Sequence, residues 1–172
     1  MRILVVGIEH SCTRFMTGLM KIHPQVDYVF HLSVPTKLES PDLEQYWKDH
    51  AFDKAVTITR DRCCNDLSYL KSSSVAKMCG KELSGKPLGS GSDVARSHLQ
   101  PFLENHKDDV VVVSVESLFQ YKELVLKQTF RLLGLSEEGY DYQNTGKIWH
   151  DWFSASLDPA DPNEKYFTQK WP

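Results

Sequence analysis

The chain has 172 residues, of which 41% are hydrophobic and 25% charged, and its formal net charge is −3. This length and this balance are typical of one globular domain with an ordinary core. A pI near 6.1 argues against nucleic acid or an anionic membrane as a partner, so any anion site must be local. The start MRILVVG is unlike a secretory signal, and no stretch reaches the roughly 20 apolar residues of a membrane span, which predicts a cytoplasmic protein.

The opening stretch predicts a buried strand, a tight turn and a helix. Ile3 to Val6 form a continuous apolar run of the kind found in strands that are buried on both faces. Gly7 permits a tight turn, and Ser11 or Thr13 can cap a helix whose apolar residues follow at helical spacing. Such a turn aims backbone N–H groups and a helix N-terminus at one point, which favours a phosphate or sulfate site. The alternative is a structural turn without a ligand.

The turn departs from the P-loop pattern of ATPases and GTPases, GxxxxGKS or GxxxxGKT. Cys12, Thr13 and Arg14 occupy the diagnostic positions, and no lysine is present there. Because that lysine and the hydroxyl after it hold the terminal phosphates and Mg²⁺, hydrolysis of nucleoside triphosphates is the weaker interpretation.

The four cysteines predict reduced thiols, since none has CxxC spacing and two are adjacent. A metal site that combines His10, Cys12 and the pair Cys63 and Cys64 matches no standard zinc spacing. We therefore expect no metal.

The second predicted strand, Val26 to Phe30, leads into His31, and Pro35 argues against regular structure beyond it. A histidine just past a strand end lies where open α/β sheets usually place their chemistry, so His31 is a candidate base. The alternative is an exposed or hydrogen-bonded loop histidine. Next, Pro41 to His50 predicts a helix with its apolar residues on one side.

The third predicted strand, Lys54 to Thr59, runs directly into Arg60. The segment DRCCNDLSYLKSS that follows predicts a helix, on which Ser68 can approach the same ligand as Arg60. The alternatives are a surface ion pair for Arg60 and a solvated helix face for Ser68.

The next segment, residues 80–92, contains four glycines and predicts a flexible loop, either a lid or a passive connector. After it, Ser92 or Asp93 can cap a helix that extends to about residue 105. Pro101 is expected to kink this helix or to break it into two pieces.

The last elements predicted are a buried parallel strand, Asp109 to Val115, and a helix, Tyr121 to Leu133. Gly134 is expected at the C-cap of that helix. Six of the aromatic residues beyond it either anchor an irregular segment or stack on a flat ligand. They are Trp149, Trp152, Phe153, Tyr166, Phe167 and Trp171.

Four segments, in order, resemble motifs of the PAPS-dependent sulfotransferases, whose donor is 3′-phosphoadenosine 5′-phosphosulfate (PAPS). HSCTRF resembles the 5′-phosphosulfate loop KSGTTW, and TRDRCCNDLSYL resembles the 3′-phosphate motif RNPxDxxxSYY, with Arg60 and Ser68 kept eight residues apart. FHLSVP resembles the THLP segment, which would make His31 the catalytic histidine. VVVVSVESL and the helix that ends in LGL resemble the late strand, the YEDL segment and the helix after it.

The resemblance implies a three-layer α/β/α fold with a central, mostly parallel sheet, of the P-loop-like sulfotransferase type, in one domain over residues 1–172. It also implies transfer of a sulfuryl group from PAPS to a hydroxyl or amine, by in-line displacement and without a metal. The acceptor can be a small molecule, a glycan or a peptide. The residues implied to hold the donor are Ser11, Cys12, Thr13, Arg14, Arg60 and Ser68.

His10 stands where the family has its loop lysine, and Cys12 replaces a glycine. Either His10 or Arg14 would substitute for the lysine, although a neutral imidazole offers less charge at pH 7 than an ammonium group. Two alternatives follow: a nucleotide-binding module that has lost catalysis, or a nucleotide or small-molecule kinase with a degenerate loop. Because the chain is shorter than typical members, the acceptor pocket is either open or completed by another subunit of a homo-oligomer.

Overall fold

The structure, a computed structural model, describes residues 1–8, 11–34, 42–61 and 90–148, except for the side chains of residues 90–94. Within these ranges the strands are β1 (Arg2–Ile8), β2 (Tyr28–Val34), β3 (Lys54–Thr59) and β4 (Val110–Ser114). The helices are α1 (Thr13–Lys21), α2 (Leu43–His50), α3 (Ser90–Asn105), α4 (Val115–Gln120) and α5 (Lys122–Leu133). As far as the described residues extend, none of these helices has the length and apolarity needed to cross a bilayer.

The strands form one parallel sheet in the order β2-β1-β3-β4. From β1 the chain moves to one side to make β2 and then returns past β1 to make β3 and β4. Gly7 of β1 lies between Ser33 of β2 and Ile58 of β3, while Thr59 lies opposite Ser114. Open α/β sheets bind ligands beyond the carboxyl ends of the strands, at the point where the strand order reverses. The turn after β1 lies at that point.

The core lies on both faces of the sheet, because successive residues of a strand point to opposite faces. Ile3 and Val5 pack in one cluster with α1, α4 and α5, whereas Leu4 and Val6 pack in another with α2 and α3. All four side chains are fully buried, and each contributes about 1.5–3 kcal/mol to stability. The fold is therefore α/β with a parallel sheet, and its helices are compatible with a three-layer arrangement.

Several predicted elements are confirmed. β3 lies where the β-branched run predicts it, and α2 ends at His50 as expected. β1 contains the predicted apolar run, but the expectation of a tight turn at Gly7 is wrong, because the strand continues through Gly7 to Ile8. Asp42 caps α2, since its side chain accepts a hydrogen bond from the N–H of Gln45 at 3.0 Å. Gly134 is the C-cap of α5 in the left-handed conformation, with φ 74°.

The prediction that β2 ends at Phe30 is wrong, because β2 continues to Val34 and contains His31. The register gives the reason: Tyr28 pairs with Arg2 and Val34 with Ile8, so β2 pairs along the whole length of β1. His31 therefore lies inside a strand and not just past its end.

The predictions for α3 also need correction. Residues 90–92, expected in a loop, lie in this helix, so Ser92 and Asp93 are inside it and not at its N-cap. The helix also continues through Pro101 without breaking into two pieces. A proline inside a helix costs about 3 kcal/mol. Burial of Leu99 and Phe102 against the sheet offsets that cost.

Helix α4 was not predicted from the sequence. Val115, expected to end a strand, begins this helix, because the Ser114 hydroxyl accepts a hydrogen bond from the N–H of Ser117 at 3.2 Å. The next helix, α5, then starts at Lys122. Leu132, near the end of α5, is 58% exposed.

Other predictions fall outside the described residues. These are the helix after Asp61, most of the glycine-rich loop up to residue 89, three of the four cysteines and the aromatic C-terminal segment.

Candidate functional site

The turn after β1 packs tightly against the end of the sheet at Gly7. A Cβ added to Gly7 would lie 2.7 Å from Thr13 Cγ2, 2.8 Å from Ser11 Oγ and 3.1 Å from the carbonyl oxygen of Ile58. Ser11 is buried, and its hydroxyl and N–H both donate to the carbonyl of Ile8, at 2.6 and 3.1 Å. Glycine is thus required at this position by the close approach of its neighbours.

Helix α1 begins without a side-chain cap. Its N-cap residue is Cys12, which has φ 62° and ψ 25° and makes no capping hydrogen bond. The expectation that Ser11 or Thr13 caps the helix is wrong, because both hydroxyls are committed elsewhere, to Ile8 and to His31 respectively. The left-handed conformation costs a residue with a Cβ about 1–2 kcal/mol, so the turn holds Cys12 in a strained position.

Within the described part of the chain, Cys12 is a free cysteine, which forms no disulfide bond. Burial raises its pKa, the charge of Arg60 opposes that rise, and the charge of Glu116 adds to it. The thiol is therefore protonated at neutral pH. These influences also show that the turn after β1, the end of β3 and the start of α4 lie within electrostatic reach of one another.

His31 lies beneath the turn, in contact with two hydroxyl groups. Its Nε2 atom is 2.9 Å from Thr13 Oγ1 and 3.1 Å from Ser33 Oγ, and the two oxygens are 3.1 Å apart. Ser33 was not singled out from the sequence, although residues two apart in a strand share a face. That rule, together with the true length of β2, identifies it as a neighbour of His31.

The pKa of His31 falls to about 4, first because the side chain is buried and then because Arg14 and Lys21 are positively charged. The ring is therefore neutral at pH 7 and has a nitrogen that can accept a proton. A pKa this far below the working pH makes it a weak base. A bound anion near Arg14 would oppose the influence of that cation and raise the pKa.

Arg60 follows the last residue of β3 and is half-buried. Because Gly7 pairs with Ile58, Arg60 extends from the same sheet edge as the turn after β1, one strand away. Its charge also opposes the rise in the pKa of Cys12 that burial causes. The turn and Arg60, both predicted to bind the donor, thus come together, while His10 and Ser68 lie outside the described residues.

Glu116, in the first turn of α4, belongs to the same edge. Its Oε1 accepts a hydrogen bond from the N–H of Asp61 at 3.0 Å, and its Oε2 accepts one from the Ser114 hydroxyl at 2.8 Å. These bonds and the charge of Arg60 lower its pKa, with the bond from Asp61 as the largest cause. Its place in the VESL segment, directly after the run of valines, was the sequence signal for a residue at this edge. That run was expected to be a buried strand, but Val112 of β4 is 62% exposed.

This edge of the sheet combines the N-terminus of α1, the two arginines Arg14 and Arg60, and a neutral histidine. That histidine, His31, lies within hydrogen-bond distance of the hydroxyl groups of Thr13 and Ser33. Backbone N–H groups and guanidinium groups favour a ligand with more than one anionic group. Among the described residues, no group of three or more His, Cys, Asp or Glu side chains is placed to hold a metal ion.

Comparison of the chain with family models and with curated protein sequences found no match.

Proposed function

We propose that this protein is a PAPS-dependent sulfotransferase with the P-loop-like fold of that family. The observation that supports the proposal best is the proximity of the turn after β1 to Arg60, on neighbouring strands about 5 Å apart. A nucleotide with phosphate groups at both its 5′ and 3′ positions offers one anionic group to the turn and another to Arg60. The order of the four sequence motifs supports the same donor.

In the proposed complex, the backbone around Cys12, the first turn of α1 and Arg14 hold the 5′-phosphosulfate. The hydroxyl of Ser11 keeps the turn folded, because it is bonded to Ile8. Arg60 holds the 3′-phosphate through charge-assisted hydrogen bonds, together with Ser68.

The reaction is an in-line displacement at sulfur. The acceptor oxygen or nitrogen forms a bond to sulfur while the bond from sulfur to the 5′-phosphate oxygen breaks, and that oxygen keeps the electron pair. The products are the sulfated acceptor and adenosine 3′,5′-bisphosphate. Charge builds on the leaving phosphate, so the protein acts mainly by positioning and neutralising it.

His31 is the proposed base that takes the acceptor proton, directly or through the half-buried hydroxyl of Ser33. Donor binding supplies negative charge beside Arg14, which raises the pKa of His31 and makes it a better base. A general base of this kind contributes about 10²–10⁴ in rate.

The first test is thermal unfolding with adenosine 3′,5′-bisphosphate, compared with ATP plus Mg²⁺. A ligand at about 100 times its Kd adds roughly 2.7 kcal/mol to stability. We expect the bisphosphate to raise Tm more than ATP does, and the reverse result would favour a kinase.

Transfer is then measured with labelled PAPS and a panel of phenols, sugars and tyrosine peptides. His31→Ala should abolish turnover and leave bisphosphate binding within about threefold of wild type, since its role is in the chemical step. His98→Ala, on the exposed side of α3, is the matched control and should keep wild-type turnover. Equal turnover in both variants would remove His31 from the mechanism.

A donor-binding module without turnover is the second candidate function. The low pKa of His31 and the missing loop lysine favour it. Binding of the bisphosphate without transfer to any acceptor would support this candidate over the enzyme.

A further inference from the structure

We propose that Glu116 is a positioning residue, which holds the backbone after β3 so that Arg60 points towards a 3′-phosphate. The proposal rests on the proposed donor site. It assigns to Glu116 the preference of that site for nucleotides that carry a phosphate at the 3′ position.

The Glu116 carboxylate ties the start of α4 to the chain that leaves β3. One oxygen accepts from the N–H of Asp61 and the other from the Ser114 hydroxyl, at 3.0 and 2.8 Å. Ser114 itself caps α4 and pairs with Thr59 across the sheet. The α4 end of the bridge is therefore fixed to regular structure, and the other end lies two residues beyond β3.

Arg60 lies between two restrained neighbours. On one side, Thr59 belongs to the ladder with β4, and its hydroxyl donates to the carbonyl of Val113 at 3.4 Å. On the other side, the N–H of Asp61 is held by Glu116. With the backbone restrained before and after it, Arg60 loses less freedom when its guanidinium group binds an anion.

A carboxylate this near a phosphate site carries a cost, because it repels the ligand. The charge of Arg60 contributes to the lowered pKa of Glu116, so the two side chains interact electrostatically. We expect the gain from fixing the backbone to exceed the repulsion. Two substitutions separate these effects: Glu116→Gln keeps the reach and removes the charge, whereas Glu116→Asp keeps the charge and shortens the reach by one methylene group.

The experiment measures Kd by calorimetry for adenosine 3′,5′-bisphosphate and for AMP, which lacks the 3′-phosphate. For each protein, the preference is the AMP Kd divided by the bisphosphate Kd. We expect Glu116→Asp to reduce the preference about tenfold. A factor of this size lies at the lower end of the range that is expected when a hydrogen bond to a charged group is lost. Glu116→Gln should keep the preference within about threefold of wild type.

The matched control is Glu123→Ala, which removes the acidic residue from the first turn of the next helix, α5. It should leave the preference unchanged. In an Arg60→Ala background, Glu116→Asp should have no further effect, because the residue acts through Arg60.

Two results would overturn the assignment. One is an unchanged preference in Glu116→Asp, and if both nucleotides are weakened equally it indicates a general structural role. A loss in Glu116→Gln as large as in Glu116→Asp would show that charge and not reach matters. A wild type that binds neither nucleotide rejects the donor site itself, which separates failure of the proposed function from failure of the role of Glu116.

Discussion

Helices α1 and α2, which flank β2 in the chain, begin in opposite ways. At α2, Asp42 has an extended backbone and caps the helix with its own carboxylate. At α1, Cys12 has a left-handed backbone and provides no cap, and the nearby hydroxyls of Ser11 and Thr13 bond elsewhere. A carboxylate cap occupies N–H groups and repels anions, whereas an uncapped start leaves the positive end of the helix dipole for a ligand.

Strain of this kind is typical of functional sites, where the surrounding structure holds a residue in a conformation that it would otherwise leave. The close packing of Gly7, Ser11 and Thr13 supplies that support at α1. Under the proposed function, the start of α2 serves stability and the start of α1 serves binding.

The largest effect on stability is expected from Gly7→Ala, which removes the support beneath the turn. The added methyl group would overlap Thr13, Ser11 and the backbone of Ile58, and overpacking of this degree costs about 3 kcal/mol. Urea unfolding measures the loss. Gly146→Ala is the control, because a Cβ there meets nothing within 4 Å, and it should leave stability unchanged or slightly higher. Equal effects of both changes would show that the turn is not tightly packed.

The second effect depends on pH and comes from His31 beneath the same turn. Its pKa is about 4 in the folded chain, against an ordinary value of 6.5 for a solvated histidine, so below pH 6.5 the unfolded chain binds a proton that the folded chain does not. The contribution of His31 to stability should therefore fall between pH 6.5 and 4, by about 3 kcal/mol at most, and level off below pH 4. Urea unfolding at several pH values measures this slope.

His31→Gln removes the titrating ring and should flatten the slope without abolishing it. The remainder is expected from His23, whose pKa burial also lowers. An unchanged slope in His31→Gln would contradict the assigned environment of His31.

A smaller effect is expected at the start of α2. Asp42→Ala removes the acceptor for the N–H of Gln45 and should cost about 1 kcal/mol, whereas Asp42→Asn keeps an acceptor and should cost little. Thermal unfolding of the two variants distinguishes them. If asparagine and alanine are equally destabilising, the carboxylate acts through its charge and not as a cap.

The smallest effect is a gain. Cys12→Gly relieves the left-handed strain at α1 but adds freedom to the unfolded chain, so we expect a net increase of about 0.5 kcal/mol in unfolding free energy. Ala51→Gly, at the other left-handed residue with a Cβ among those described, should show a similar gain. Cys12→Ala should show none, and a gain equal to that of glycine would mean that the thiol and not the backbone is strained.

Local patterns were sufficient for some of the fold. The apolar run of β1, the β-branched run of β3 and the glycine after α5 each carry their own signal, so their positions could be predicted. The extent of β2 could not, because its residues are half-buried except at Val34 and its length is set by pairing with β1. Propensity gave way to tertiary contacts there.

The candidate site shows the same division. The sequence places the turn and Arg60 at strand ends, and the parallel sheet brings them together. No local signal predicts that Cys12 is left-handed, or that Thr13 reaches His31 18 residues later in the chain. Both depend on how α1 packs over β1 and β2.

The most direct test of the account is the affinity of Arg60→Ala for adenosine 3′,5′-bisphosphate, measured by calorimetry beside wild type and Arg96→Ala, an arginine on the exposed side of α3. If the turn after β1 and Arg60 hold the two phosphate groups of one nucleotide, Arg60→Ala should bind about 10- to 100-fold more weakly, and Arg96→Ala should bind like wild type. Equal affinity in Arg60→Ala and wild type would contradict the shared site.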